Sequence, residues 1–174
     1  MPATDNHSTP LVGILMGSDT DLPVMTQAAK LLKQFDVPCE IEITSAHRSP
    51  QRTAEYARQA ASRGLKVLIV GAGAAAALAG VIAAETILPV VGVPMATSPL
   101  SGFDALLSTA MMPAGVPVAT MAVGDAGARN AAILAVSILA LERADLRNRL
   151  LAYKQDLERS VREKSERVKA EFKF

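Results

Sequence analysis

The sequence predicts a three-layer αβα sandwich built on a five-stranded parallel sheet, followed by a C-terminal helical extension. Two observations carry this prediction. Short apolar runs alternate with segments of helical periodicity, and helices of this kind connect parallel strands in right-handed crossovers. Between Val67 and Gly124 the only charged residues are Glu85 and Asp104, and such long apolar runs are typical of parallel strands buried on both faces.

Five apolar runs of strand length follow one another along the chain. The strands are predicted at residues 12–16, 39–44, 67–70, 90–93 and 118–123. Each run is followed by glycine, serine or proline, which are residues that end strands. After the third strand, Gly71-Ala72-Gly73 is predicted to form a turn.

The helices are predicted from their start signals and apolar spacing. The first helix takes Asp21 or Thr20 as its cap and has Pro23 in its first turn. The second begins at Ser49-Pro50, a hydroxyl cap followed by proline at the first helical position. The helices after the first are predicted at residues 50–64, 75–84, 103–111 and about 127–141.

Strands alternating with helices define a doubly wound fold of the flavodoxin-like or Rossmann-like type, in which ligands bind at the carboxyl ends of the strands. Residues 11–141 are expected to form this α/β domain, preceded by a disordered polar leader at 1–10. Residues 142–174 are predicted to be a charged, amphipathic tail of one or two helices. Its apolar stripe is expected to cover the domain or a neighbouring subunit, or to belong to a solvated helix packed on its own domain.

Composition excludes several classes of protein. A net charge of +1 gives no electrostatic attraction for nucleic acid or an acidic membrane. The single cysteine, Cys39, forms no internal disulfide and fits a reducing compartment. No basic-then-apolar segment opens the chain, so no signal peptide is expected and a cytoplasmic location is predicted.

The apolar middle of the chain raises the question of a membrane span, because residues 67–84 carry no charge. Glycines within this segment, and prolines at strand-length intervals after it, favour a buried sheet instead. A mean hydropathy of +0.26, with 50% hydrophobic residues, indicates further apolar surface buried between subunits. A homo-oligomer is therefore expected.

The corner after the first strand reads Gly17-Ser18-Asp19-Thr20-Asp21. Backbone amides at the start of a helix carry partial positive charge and bind phosphate. Gly17 permits close approach of a ligand, Ser18 adds a hydroxyl donor, and Asp21 is suited to accept hydrogen bonds from ribose hydroxyls. An ordinary turn with a helix cap would show the same residues.

The corner after the second strand, Ser45-Ala46-His47-Arg48, is the more specific signal. The planar guanidinium of Arg48 donates two hydrogen bonds at once to a phosphate, and Ser45 supplies another donor. Because the only other histidine is His7, in the polar leader, His47 is the candidate acid or base near neutral pH. The alternatives are that His47 is a structural histidine and that Arg48 forms a surface ion pair.

The segment after the third strand, Gly71-Ala72-Gly73-Ala74, resembles a phosphate loop only weakly, since it lacks the last glycine of the dinucleotide fingerprint and a Walker lysine. Its expected role is to let backbone amides approach a ligand, and the alternative is tight packing of helix on sheet. Two distant histidines and one cysteine give no metal cluster, so no metal site is expected.

These motifs together resemble the PurE family. They are Gly-Ser-x-x-Asp, Ser-Ala-His-Arg and Gly-Ala-Gly after the first three strands, Leu-Pro-Val-Val-Gly-Val-Pro at 88–94, Met-Pro-x-Gly-Val-Pro-Val at 112–118 and Asn-Ala-Ala at 130–132. The resemblance runs from Val12 to Leu141. It implies an N5-carboxyaminoimidazole ribonucleotide (N5-CAIR) mutase of the bacterial type, an isomerase of purine biosynthesis that forms 4-carboxy-5-aminoimidazole ribonucleotide (CAIR) without cofactor or metal. It also implies a homo-octamer.

The resemblance also implies roles for individual residues. Ser18, Ser45 and Arg48 would hold the phosphate, Asp21 would bind the ribose, and His47 would be the general acid and base. The remaining substrate-binding residues that it implies are Gly17, Gly73, Ala74, Ala77 and Leu78.

Two positions depart from the bacterial pattern Gly-Ala-Gly-x-Ala-Ala-His-Leu-Pro-Gly. Ala77 stands where that pattern has histidine, and Ala79 stands where it has proline. In this segment the chain resembles the branch that carboxylates aminoimidazole ribonucleotide with carbon dioxide directly, but that branch has lysine where this chain has Arg48. We favour the mutase and keep the carboxylase as the alternative.

Three other classes compete with this reading. A receiver domain needs a phosphorylatable aspartate at the end of the third strand, where this chain has Gly71. A flavodoxin needs aromatic residues to sandwich its flavin, and this chain has no Trp and two Tyr. A homologue that binds the ribonucleotide without converting it is the remaining alternative, given Ala77.

Overall fold

The computed structural model describes residues 9–172 and contains a single parallel sheet in that range. Its strands are β1 (Val12–Met16), β2 (Cys39–Ile43), β3 (Val67–Gly73), β4 (Val90–Met95) and β5 (Ala119–Thr120). The strand order is β2-β1-β3-β4-β5. The predicted five-stranded parallel sheet of the flavodoxin-like type is therefore confirmed. His7 and most of the predicted leader lie outside the described residues.

Six α-helices alternate with the strands and follow them in the described part of the chain. They are α1 (Leu22–Gln34), α2 (Pro50–Ala60), α3 (Leu78–Glu85), α4 (Phe103–Ala110), α5 (Asp125–Leu139) and α6 (Ala144–Glu171). The chain crosses from β1 to β2 in one direction along the sheet and from β2 past β1 to β3 in the other. Right-handed crossovers therefore place α1 and α2 on opposite faces, which gives the three layers.

The core strands explain why the sheet forms in this register. All residues of β1 are buried, as are the first six of β3, because both strands are covered on two faces. Met16 at the end of β1 pairs with Ile43 of β2 and Gly71 of β3. The carboxyl ends of these three strands therefore lie side by side, and the corners that follow them meet at one edge.

The third strand is longer than its sequence predicted. Gly71-Ala72-Gly73 is not a turn but the last part of β3, paired with Val93, Pro94 and Met95 of β4. Glycine is needed in this part of β3 because side chains of neighbouring elements lie close to its backbone. A Cβ added to Gly71 would lie 2.5 Å from the Cε atom of Met95 and 2.6 Å from the Sδ atom of Met25.

Several other boundaries also differ from the predictions. Helix α3 begins at Leu78 instead of residue 75, since residues before it still belong to the corner that follows β3. Helix α2 ends at Ala60, and a turn continues to Gly64, whose φ of +96° suits glycine. Strand β5 has two residues, because only Ala119 and Thr120 pair with β4.

Strand β2 lies at one edge of the sheet. Its two isoleucines, Ile41 and Ile43, are each 43% exposed. Its two glutamates alternate with them and are held by residues of α2 and the turn after it. Glu40 accepts a hydrogen bond of 2.6 Å from the Tyr56 hydroxyl and pairs with Arg63, and Glu42 pairs with Arg52.

The described chain divides into two compact units, one ending at Ala135 and the other beginning at Val136. The second unit contains the end of α5 and the single helix α6 of 28 residues. Ion pairs run along α6 at helical spacing, namely Asp156–Arg159, Glu158–Arg162 and Glu166–Lys169. No helix in the described residues is long and apolar enough to cross a membrane.

Candidate active site

A cavity of about 350 Å³ opens at the carboxyl ends of β1, β2 and β3. All ten candidate site residues line it, namely Gly17, Ser18, Asp21, Ser45, His47, Arg48, Gly73, Ala74, Ala77 and Leu78. This placement follows from the strand order, since β1 lies between β2 and β3. The structure thus brings together residues that are up to 61 positions apart in the chain, from Gly17 to Leu78.

The corner after β1 is a short 3₁₀ turn, Asp19–Asp21, capped by Ser18. The Ser18 Oγ atom accepts hydrogen bonds from the Thr20 amide at 3.3 Å and the Thr20 hydroxyl at 2.9 Å. Asp21 precedes α1, but its side chain makes no cap hydrogen bond. Asp21, one of the two predicted caps, therefore occupies the N-cap position of α1 without a side-chain hydrogen bond, and Ser18 caps the 3₁₀ turn before it.

Asp21 is the one buried carboxylate of the cavity lining and is 5% exposed. Burial raises the pKa of this carboxyl, hydrogen bonding from the Ser18 backbone lowers it, and the neighbouring charge of Asp19 raises it further. The net direction is upward. Because this carboxylate lines the cavity and makes no cap hydrogen bond, it is available to accept hydrogen bonds from ligand hydroxyls.

The corner after β2 is closed by Ser49. Its hydroxyl donates to the Ser45 carbonyl at 3.1 Å and accepts from the Ser45 amide at 3.0 Å. Ser49 precedes α2 as predicted, yet its side chain caps no helix amide, because it is engaged with Ser45. The Ser45 hydroxyl in turn accepts a hydrogen bond of 3.2 Å from the Arg48 amide.

His47 and Arg48 project from this corner as exposed residues of the cavity lining. The Arg48 guanidinium donates one hydrogen bond of 3.1 Å to the Gly17 carbonyl, which leaves further N–H donors for an anion. Within residues 9–172, the His47 imidazole has no hydrogen-bond partner. Both ring nitrogens are therefore open to a ligand.

The corner after β3 forms the apolar side of the cavity. A Cβ added to Gly73 would lie 1.9 Å from the Thr97 Oγ1 atom, so glycine is needed for the close approach of these two segments. Ala74 has a φ of +49°, which is a strained, left-handed conformation for alanine. Ala77 and Leu78 follow at the start of α3.

Sequence reasoning missed five lining residues: Thr20, Ala46, Ala72, Ala76 and Thr97. A signal existed for Thr97, because this hydroxyl follows the carboxyl end of β4, where ligand-binding residues of doubly wound folds lie. The three alanines carry no chemical signal in the sequence. In the described part of the chain, no group of three or more His, Cys, Asp and Glu side chains is placed to hold a metal ion.

Comparison with known proteins identifies the family. The sequence profile described as "AIRC: AIR carboxylase" matches residues 11–160. Proteins named N5-carboxyaminoimidazole ribonucleotide mutase from Pyrococcus horikoshii and Thermotoga maritima are each 52% identical over 159 residues. These alignments cover 91% of this chain and 89% and 92% of the two relatives.

The chain belongs to the PurE family.

Other similar proteins include one with a solved structure and one that is named as a carboxylase. A crystal structure of Treponema denticola PurE superposes with a TM-score of 0.82 at 26% identity and covers 95% of this chain and 99% of that one. A Candida albicans protein named phosphoribosylaminoimidazole carboxylase is 51% identical over 164 residues, or 94% of this chain and 28% of that protein. The structural neighbour confirms the predicted fold class.

Proposed function

We propose that this PurE-family chain is an N5-CAIR mutase, an isomerase that converts N5-CAIR to CAIR in purine biosynthesis. The observation that carries the proposal is that His47 and Arg48 line the same cavity as the polar corner after β1. Relatives named as this mutase, each 52% identical over 91% of the chain, support the choice of substrate and reaction.

The ribonucleotide would be held by the polar side of the cavity. We assign its phosphate to Ser18, Ser45 and Arg48, because two hydroxyls and a guanidinium supply donors from two directions. We assign its ribose to Asp21, whose carboxylate accepts hydrogen bonds from hydroxyl groups. Gly17 lets the ligand come close to the backbone at the end of β1.

His47 would move the proton. As the carboxylate leaves N5 as carbon dioxide, protonated His47 gives its proton to N5, and aminoimidazole ribonucleotide is formed. The ring carbon C4 then attacks the carbon dioxide, and neutral His47 removes the proton from C4. The imidazole ends in the form in which it began, so one residue serves both steps.

Carbon dioxide must stay in the cavity between the two steps. Gly73, Ala74, Ala77 and Leu78 give this side of the cavity no charged group, and an apolar wall limits competition from water. A neighbouring loop that closes over the ligand would complete the enclosure. The chemistry as written needs no cofactor and no metal.

We propose a homo-octamer located in the cytoplasm, with no nucleic acid or membrane among its partners. Large hydrophobic side chains on the surface of the α/β unit support an oligomer, since apolar surface of this kind marks contacts between subunits. Those more than 60% exposed are Ile87, Leu100, Phe103 and Met111.

A carboxylase that uses carbon dioxide directly is the second candidate. Ala77 and Ala79 favour it, since they replace the histidine and proline expected of the bacterial mutase pattern. The carboxylase name of the Candida albicans relative is compatible with it. Arg48 favours the mutase, because the carboxylase branch has lysine at this position.

The deciding experiment follows CAIR formation from two starting points. One reaction contains N5-CAIR without bicarbonate, and the other contains aminoimidazole ribonucleotide with bicarbonate. Rapid turnover of the first alone supports a mutase that tolerates Ala77. Efficient turnover of the second alone identifies a carboxylase, and no turnover of either leaves a homologue that only binds the ribonucleotide.

A further inference from the structure

Three hydroxyl groups lie beneath the turn that carries His47, and the mechanism proposed above does not use them. Thr44 and Thr53 are 2% and 0% exposed, and their Oγ1 atoms are 2.7 Å apart. Thr53 also donates to the Ser49 carbonyl at 3.1 Å. We call the side chains of Thr44, Ser49 and Thr53 the hydroxyl bracket.

Each hydroxyl has one proton to donate, and a carbonyl oxygen can only accept, so the bonds to carbonyl groups have a fixed direction. When Thr53 donates its proton to the Ser49 carbonyl, Thr44 is the donor in the 2.7 Å contact. Ser49 uses its proton on the Ser45 carbonyl at 3.1 Å and accepts from the Ser45 amide. The bracket therefore connects buried α2 to both main-chain groups of Ser45.

The connection continues to the candidate catalytic residue. The Ser45 carbonyl also accepts from the Ser49 amide at 2.9 Å, and the Ser45 hydroxyl accepts from the Arg48 amide at 3.2 Å. These bonds close the main chain on both sides of His47. No hydrogen bond within residues 9–172 holds the His47 imidazole, so the main chain of this turn determines the point from which the imidazole projects.

We propose that Thr53 is a positioning residue, whose hydroxyl fixes the turn through Thr44 and Ser49 and so directs His47 and Arg48 into the cavity. Without the Thr53 oxygen, the buried Thr44 hydroxyl has only the Ser49 Oγ atom as a partner, at 3.4 Å. That contact is longer than the 2.7 Å contact with Thr53, so the Thr44 hydroxyl is held less firmly against the turn. As far as it concerns turnover, this inference rests on the proposed function.

The test compares Thr53→Val with Thr53→Ser. Valine keeps the shape and loses the hydroxyl, and serine keeps the hydroxyl and loses a methyl group. Thr109→Val is the matched control, because Thr109 is 2% exposed on α4 and donates to the carbonyl four residues earlier, that of Ala105, at 2.7 Å. Thr53 makes the same kind of bond to Ser49, and Thr109 does not line the cavity.

Two readouts are measured well below the unfolding temperature of every variant: kcat with N5-CAIR, and hydrogen exchange of the peptide that contains residues 44–49. We expect Thr53→Val to lower kcat about tenfold, which is the effect of one buried hydrogen bond. We expect its 44–49 peptide to exchange faster than in the wild type. Thr53→Ser should restore both values, and Thr109→Val should change neither.

Different results would overturn different claims. If Thr53→Val keeps wild-type kcat and exchange, then Thr53 does not position the turn. The same conclusion follows if Thr109→Val changes kcat and the exchange of the 44–49 peptide as much as Thr53→Val does. If the wild-type protein converts no N5-CAIR, the proposed function fails. The exchange of the 44–49 peptide then decides the positioning role by itself.

Discussion

The Arg48 guanidinium donates a hydrogen bond of 3.1 Å to the Gly17 carbonyl, which ties the corner after β2 to the corner after β1. The two corners are 31 positions apart in the chain, and neither is a regular element of the sheet. One side chain thus holds the two halves of the polar cavity together and, under the proposed function, also binds the phosphate.

Replacing this arginine should weaken nucleotide binding. Loss of a charged hydrogen bond costs about 1.5–3 kcal/mol, so we expect Arg48→Ala to raise the Kd for CAIR about 10- to 100-fold. Isothermal titration calorimetry measures this value. Arg52→Ala is the control, because Arg52 pairs with Glu42 on the exposed side of α2 and should leave the Kd unchanged. An unaltered affinity in Arg48→Ala would refute the phosphate assignment.

His47→Asn should separate binding from turnover. Asparagine cannot take up and return a proton near neutral pH, and a general acid and base contributes about 10²- to 10⁴-fold to a rate. We expect kcat with N5-CAIR to fall by at least about 100-fold, while the Kd for CAIR stays near the wild-type value. Near-normal turnover in this variant would show that another group moves the proton.

Asp21 should make the protein less stable as the pH rises. Its folded-state pKa is raised above the ordinary 3.8, mainly by burial, so the folded protein binds this proton more tightly than the unfolded chain does. The stabilising contribution is full below the unfolded-state pKa and is lost as pH rises through the folded-state pKa. Thermal unfolding of Asp21→Asn should therefore occur at a higher temperature than that of the wild type at pH 7.

The same variant should bind the ribonucleotide less tightly, since an amide replaces the carboxylate that would accept from the ribose. We expect an increase of about tenfold or more in the Kd for CAIR. Lower stability of Asp21→Asn at pH 7 would contradict the burial argument, and unchanged binding would contradict the ribose assignment.

Gly73 should tolerate no side chain while Thr97 is present. The added Cβ would lie 1.9 Å from the Thr97 Oγ1 atom and 3.2 Å from its Cβ. We expect Gly73→Ala to lose about 1–3 kcal/mol of unfolding free energy in denaturant titrations. The double variant Gly73→Ala with Thr97→Ala should regain most of this loss, because the two contacts that remain, 3.2 Å to the Cβ atom of residue 97 and 3.4 Å to the Met95 Cβ atom, are much longer than the 1.9 Å one. Equal losses in the single and double variants would show that the collision is not with Thr97.

Replacing Ala74 with glycine should stabilise the folded protein. With a φ of +49°, alanine pays a steric penalty that glycine lacks, and we expect Ala74→Gly to gain about 1 kcal/mol of unfolding free energy. Ala54→Gly, in the interior of α2, is the control and should lose about 1 kcal/mol. A loss of stability at both positions would refute the strain at Ala74.

The candidate site could be anticipated because its residues follow three neighbouring strands. His47 and Arg48 come directly after β2, and parallel strands place such corners at one edge of a sheet. Sequence reasoning failed where a neighbour decides the local structure. Gly71 and Gly73 read as a turn, yet pairing with β4 makes them a strand. Ser49 reads as a helix cap, yet the adjacent Ser45 occupies its hydroxyl.

The charged side chains of β2 bear on how newly made chains behave at high concentration. An edge strand offers unpaired backbone groups to any other strand, and charges on it hinder such stacking. Glu40 and Glu42 are engaged by α2 and the turn after it only once this part of the chain has folded. Until then, two β2 strands meeting in parallel register would oppose like carboxylates. In a partly folded chain, Glu40 and Glu42 would thus disfavour fibrillar aggregation. In the folded chain, the same two residues hold the strand that leads to His47.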